Sequence, residues 1–145
     1  MNTALQHSRA KLEDLEAAIP LSGMTPIVPG LEHYFAKGLY ARRIFVEKNS
    51  ILTTKIHLSQ HITIALKGRC SVVREDGTSS EVVAPAVFVT EPGTKRAVFA
   101  HEDVEWVTVH ACEADCVADA EAELVCSTFK QYEEHTKRLS WQGDA

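Results

Sequence analysis

An all-β sandwich or small barrel, with a helix on either side of it, is the fold class that this sequence predicts. Three observations lead there. Between Leu39 and Ala111 the chain is a series of short runs rich in β-branched residues, separated by turn signals, which is the texture of many short strands. Asp76-Gly77 sits between two such runs and is a strong hairpin signal, because glycine accepts the positive φ that a tight turn requires. Before this region the apolar period is helical, with Leu5, Ser8, Leu12, Leu15 and Ile19 at alternating spacings of three and four.

Taken in order, Thr3-x-x-Gln6 offers a capping box for a helix that ends near Pro20. Its narrow stripe suits either a helix laid on the domain's own sheet or one that pairs with a second subunit. Pro20, Gly23, Pro26, Pro29 and Gly30 then exclude any regular element, so residues 1–30 read as a helix followed by an extended arm. Residues 31–129 form the barrel. Strands are expected over 39–46, 51–57, 62–66, 70–74, 81–83, 87–90, 96–100 and 104–111, joined as antiparallel hairpins. The alanine- and acid-rich 118–125 suits a helical turn, 124–129 a last strand, and 130–145 a charged tail with a short helix.

The 145 residues amount to one domain, long enough to bury a core without staples. The net charge of −5 argues against nucleic acid, whose partners carry a clustered basic face. No apolar run reaches the roughly 20 residues of a membrane span, and Met1 to Ala10 lacks the pattern of an export signal, so a cytoplasmic protein is expected. Cys70, Cys112, Cys116 and Cys126 are then reduced thiols. Cys112-x-x-x-Cys116, although His110 precedes it, departs from zinc-knuckle spacing.

The stretch Lys55-Ile56-His57-Leu58-Ser59-Gln60-His61, followed by Gly68 and by Glu91-Pro92-Gly93-Thr94-Lys95-Arg96, resembles altered forms of the two signature motifs of the cupin family. The first motif's frame falls on Asn49, Lys55, His57, His61 and Gly68, with His61 at the position of the usual glutamate. In the second, Arg96 occupies the place of the usual histidine. The phrases His33-Tyr34-Phe35-Ala36-x-Gly38-Leu39-Tyr40-Ala41-Arg42 and His101-Glu102-Asp103-x-x-Trp106-x-Thr108-Val109-His110 are similar to short proteins of tailed phages and prophages. The resemblance implies a double-stranded β-helix, the cupin jelly-roll barrel, usually dimeric. For the narrower group it implies no particular activity.

The residues can also be read without that likeness. Residues two apart on a strand share a face, which puts His57 with Lys55 and Thr53. If His101 to Asp103 is a three-residue turn of a hairpin, Arg96 faces Thr108, and Arg96, Trp106, Thr108 and His110 share the inner face while Glu105 looks outward. The barrel mouth then gathers Lys55, His57, His61, Arg96 and His110. Three imidazoles suit one divalent metal such as zinc, iron or nickel. Lys55 and Arg96, with Trp106 beside them, suit an anionic ligand. Alternatively the histidines are satisfied core residues, and Lys55 and Arg96 turn outward to Glu81 or Glu91.

Three functions remain open: a binding module, a metal-dependent enzyme using His57, His61 and His110, and a structural role in phage assembly. Replacement of the motif glutamate by His61 removes a general acid or base and favours a noncatalytic protein. The preferred expectation is a noncatalytic cupin, a homodimer in the host cytoplasm or virion, that meets phage structural proteins through residues 1–30. No catalytic residue, nucleic acid or membrane is assigned to it.

Overall fold

The structure, a computed structural model, describes residues 30–74 and 76–143. The helix and most of the arm expected over 1–30 therefore lie outside the described residues. The elements are β1 (Gly30–Ala36), β2 (Leu39–Val46), β3 (Ile51–Thr53), β4 (Ile56–His57), β5 (His61–Lys67), β6 (Arg69–Arg74), β7 (Ser79–Val83), β8 (Ala86–Thr90), β9 (Arg96–Ala100), β10 (Val104–Ala111), α1 (Val117–Leu124), β11 (Val125–Cys126) and α2 (Phe129–Gly143). They form a five-stranded sheet in the order β1-β2-β10-β5-β8, a four-stranded sheet in the order β3-β9-β6-β7, and a small β4-β11 pair. Every pairing is antiparallel.

Period-two alternation explains the core. Ile44 and Val46 on β2, Cys70 and Val72 on β6, Val98 and Ala100 on β9, and Val104 on β10 are buried between the two large sheets. Each aliphatic side chain of this size contributes about 1.5–3 kcal/mol relative to exposure. A second cluster docks α1: Ala120 and Leu124, one turn apart, pack on Tyr40 and Cys112.

Most of the short connections expected to be hairpins are instead crossings between sheets. True hairpins are β1-β2 and β6-β7, the latter closed by Arg74 and Thr78 around Asp76-Gly77. The expected β9-β10 hairpin does not form, because β3 and β6 flank β9 while β2 and β5 flank β10. The crossing from β5 to β6 is tight enough to demand glycine. At Gly68, where φ is +84°, an added Cβ would lie 2.3 Å from the carbonyl oxygen of Asp103.

The expected strand over 51–57 is interrupted at Thr54-Lys55, where the Thr54 amide donates to the Arg96 carbonyl and the Arg96 amide donates to Thr54 Oγ1. Ile56 and His57 are consequently both buried, and strict alternation ends there. β1 begins at Gly30, which the sequence assigned to the arm. Its residues are mostly exposed, so it carries no apolar alternation to announce it.

Candidate functional site

His57, His61 and His110 converge inside the barrel, with a ring nitrogen of each within 4.8 Å of those of the other two. Ring centroids are 4.2 Å apart for His57 and His61, 4.4 Å for His61 and His110, and 5.3 Å for His57 and His110. Three different elements supply them. β4 carries His57, whose carbonyl accepts from the Gly93 amide at 2.9 Å and whose strand pairs with β11. His61 opens β5, opposite Thr90. His110 lies near the end of β10, opposite Tyr40, and stacks on it.

All three rings are at least nine-tenths buried, at 8, 5 and 2 % exposure. Burial is the main reason that each titrates low: His57 is pushed down to about 2, His110 to about 3, and His61 below the ordinary histidine value. Neighbouring imidazoles lower His57 and His110 further, and Arg42 or Arg96 acts on each ring. The rings are therefore neutral, the state in which imidazole ligates a metal. Thr108 Oγ1 sits 2.9 Å from His110 Nε2, which leaves His110 Nδ1 buried with no partner among the described residues. His61 Nδ1 faces the Ser59 carbonyl at 3.4 Å.

The residue set fits a divalent ion. Zinc bonds of about 2.0–2.1 Å to imidazole place tetrahedral ligand nitrogens about 3.3 Å apart, so the cluster needs to contract by no more than about 1.5 Å. An orphaned buried nitrogen is also what an ion at the cluster's centre would satisfy.

His57 and His61 stand at one end of a cavity of about 80 Å³. That end is polar, with Thr63, Thr90 and Thr108, and Thr63 and Thr90 hydrogen-bond each other at 2.8 Å. The body is apolar, walled by Val72, Val82, Phe88, Val98 and Trp106. Arg96 lines the cavity too, with its guanidinium carbon 5.9 Å from the Phe88 ring centre. An outer groove of about 690 Å³ between β7 and β8 shares Val72, Val82, Phe88, Thr94 and Arg96 with the cavity.

Of the residues singled out in the sequence, His57, His61 and His110 meet, and Arg96 and Trp106 line the cavity. Arg96 and Thr108 face inward from opposite sheets, not from one hairpin. Lys55 is a correction: it is exposed and absent from the cavity wall, because the break at Thr54-Lys55 turns it away from the face of His57. Glu81 and Glu91, the outward partners considered for Lys55 and Arg96, bind Arg69 and Gln60 instead. Cys112 and Cys116 do not meet His110 as ligands. The Cys112 thiol donates to Glu123 Oε2 at 3.3 Å, and Cys116 lies in an exposed group with Asp115 and Asp119.

Sequence reasoning missed Arg42, whose Nε is also buried without a partner among the described residues and whose charge acts on all three histidines. The signal was present, since Arg42 alternates with Tyr40 and Ile44 on β2. Nothing in the motif stretch marked Lys95 as buried, yet it is 1 % exposed and donates from Nζ to the Ser127 carbonyl at 3.0 Å.

No protein-family model and no curated protein matches the chain. Solved structures do. A putative ethanolamine utilization protein Q from Salmonella typhimurium matches with a TM-score of 0.51 at 18 % identity, over 65 % of this chain and 76 % of that one. An RmlC-like cupin protein with a double-stranded β-helix fold, from Methanocaldococcus jannaschii, gives 0.50 at 14 % identity, over 59 % of this chain and 82 % of that one. Salicylate 1,2-dioxygenase from Pseudoaminobacter salicylatoxidans gives 0.54 at 10 % identity, covering 79 % of this chain and 33 % of the enzyme. At such identities the likeness is one of backbone course, and function has to be argued from the site.

Proposed function

We propose that this chain, which has the cupin fold, is a metal-binding barrel that holds one divalent ion between His57, His61 and His110 and receives a small molecule in the adjoining cavity. The observation that carries the reading is the convergence of three buried, neutral imidazoles from three separate elements. Burying three polar rings together is costly unless something satisfies them, and His110 Nδ1 is left over.

A bound divalent ion supplies Lewis-acid polarisation of a coordinated oxygen. The chain's own residues do the rest. Thr108 orients the His110 ring, the Gly93 amide holds the peptide of His57, and Thr63 with Thr90 presents hydroxyls at the polar end. Phe88, Val98 and Trp106 exclude water from the body of the cavity. The carboxylate on the cavity wall is Glu105, and Arg43 holds it in an ion pair. A second carboxylate is lacking on that wall among the described residues, which supports binding without turnover.

The test is elemental analysis of untagged protein purified without chelators, beside a His57→Ala/His61→Ala variant. Close to one metal per chain in the wild type and none in the variant is the expected result. A metal-free wild type that also fails to take up added zinc, nickel or iron sinks the reading.

One observation favours a second role, that of a self-associating structural block. The outer face of the five-stranded sheet exposes Ile62 and Leu66 on β5 and Val87 and Val89 on β8, with Ile62 paired to Val89 in the ladder. A cross-strand apolar patch of this kind marks an association surface, and a second copy of the chain is the occupant we propose. Light scattering on the wild type and on Ile62→Glu/Val87→Glu decides it: a dimer that the variant dissociates supports the role, and a wild-type monomer at micromolar concentration removes it.

A further inference from the structure

We infer that Arg96 is the anchor of an anion subsite, and that the small molecule the cavity takes is a monocarboxylate with a short apolar body. The inference deepens the metal-barrel reading and rests on it for the position of the ligand, although Arg96 is not one of the histidine ligands. Its basis is a charge left unanswered at a place built for a ligand. Arg96 lies on the wall shared by the inner cavity and the outer groove, and its Nε is buried with no hydrogen-bond partner among the described residues. No ion pair among those residues engages its guanidinium. Glu81, which lines the same groove, is bound to Arg69 at 2.6 Å, and Glu91 accepts from Gln60 at 2.9 Å.

A half-buried arginine whose Nε is shut off from water without a partner is costly, and a planar carboxylate is the partner its fork fits, through two parallel hydrogen bonds. Arg42 strengthens the argument from the other side of the cluster. Its Nε is likewise buried and unpartnered among the described residues, so the polar end of the barrel carries positive charge around neutral imidazoles. A second cation alone would meet repulsion there, whereas an anion that reaches both Arg96 and the ion would relieve it. The size and walls limit the rest of the ligand. A cavity of about 80 Å³ with Val82, Phe88 and Val98 along it suits a few apolar carbons beside one carboxylate, since the other cation on the wall, Lys67, is exposed to solvent. The groove between β7 and β8 shares Arg96 with the cavity, which makes it the route of entry we assign.

The experiment is calorimetric titration of butyrate and benzoate, with their amides as neutral controls of the same shape. It uses zinc-saturated and chelator-treated protein, in the wild type, Arg96→Gln and Val82→Phe. The expected result is binding of the acids over the amides, with Arg96→Gln weakening the acids by about tenfold or more, the value of a lost charge-assisted bond. Val82→Phe fills the cavity without touching the charge and should abolish acid binding while zinc uptake persists. This variant carries the test if Arg96→Gln does not fold. Equal binding of acids and amides, unchanged acid affinity in Arg96→Gln, or no acid binding at tens of millimolar overturns the inference. Zinc uptake without carboxylate preference breaks this inference alone. Arg96-dependent carboxylate binding in a protein that takes no zinc breaks the metal reading alone.

Discussion

Gly93 and His57 are joined backbone to backbone, the glycine amide donating to the histidine carbonyl at 2.9 Å. The turn after β8 therefore fixes the peptide that carries one of the three rings. Gly93 has φ +77°, and Tyr132 of α2 lies over it so closely that an added Cβ would come within 2.8 Å of the ring carbons and hydroxyl. Gly93→Ala should cost about 1–3 kcal/mol, from left-handed backbone strain and displacement of Tyr132, and should weaken metal binding with it. Removing the obstacle in Gly93→Ala/Tyr132→Ala should recover only part, because the backbone strain remains. Gly68→Ala should be worse, since its Cβ would meet the Asp103 carbonyl, which cannot swing aside. Urea unfolding with zinc titration measures all three, and a Gly93→Ala protein with unchanged stability would refute the account.

Lys95 tethers the C-terminal segment from inside the fold. Its Nζ donates to the Ser127 carbonyl, two residues before α2 begins. Lys95→Met keeps most of the side chain's volume but removes the donor, which should destabilise by about 1–3 kcal/mol through an unsatisfied carbonyl. Limited proteolysis should then cut first near 127–130. A variant whose cleavage pattern and unfolding midpoint match the wild type would show that the tether contributes nothing.

Much of the barrel was legible because half-buried strands announce themselves by alternation. Val104 to Ala111 and Arg96 to Ala100 fall where their apolar periods place them. Sheet membership was not legible. A short connection such as His101 to Asp103 reads as a hairpin, yet it carries the chain from one sheet to the other, and only long-range pairing with β2, β3, β5 and β6 decides between the two. The same limit applies to Lys55. Its alternation with His57 holds on an unbroken strand, and the break comes from Thr54 bonding with Arg96, 42 residues away. The histidines met in spite of the wrong register, because Thr108 and His110 still share a face when β10 changes partners. Arg42 was readable on β2, at the end of the phrase His33 to Arg42, but that phrase implies no role for it. Lys95 lies in the second motif stretch, but nothing there signalled its burial, which depends on a carbonyl from a distant turn.

Metal-free protein should lose stability steeply in mild acid. His57, His61 and His110 are all held below the ordinary histidine value, with burial as the first cause. In the unfolded chain they take up protons near 6.5, while in the folded chain His110 does so only near 3 and His57 near 2. Between those values the unfolded state binds more protons, so stability is complete above about pH 6.5 and falls as pH drops toward the folded values. Each ring contributes up to about 1.4 kcal/mol per pH unit, and three together up to about 4. A fold with the usual 5–15 kcal/mol should then unfold before the folded histidines ever titrate. Urea midpoints of chelator-treated protein at pH 7.5, 6.5, 5.5 and 5.0 test this. His57→Gln should remove about a third of the slope, and bound zinc should move the whole fall to lower pH because protons and metal compete for the same nitrogens. Midpoints that stay level down to pH 5 would mean that the three rings are not buried neutral in the native protein.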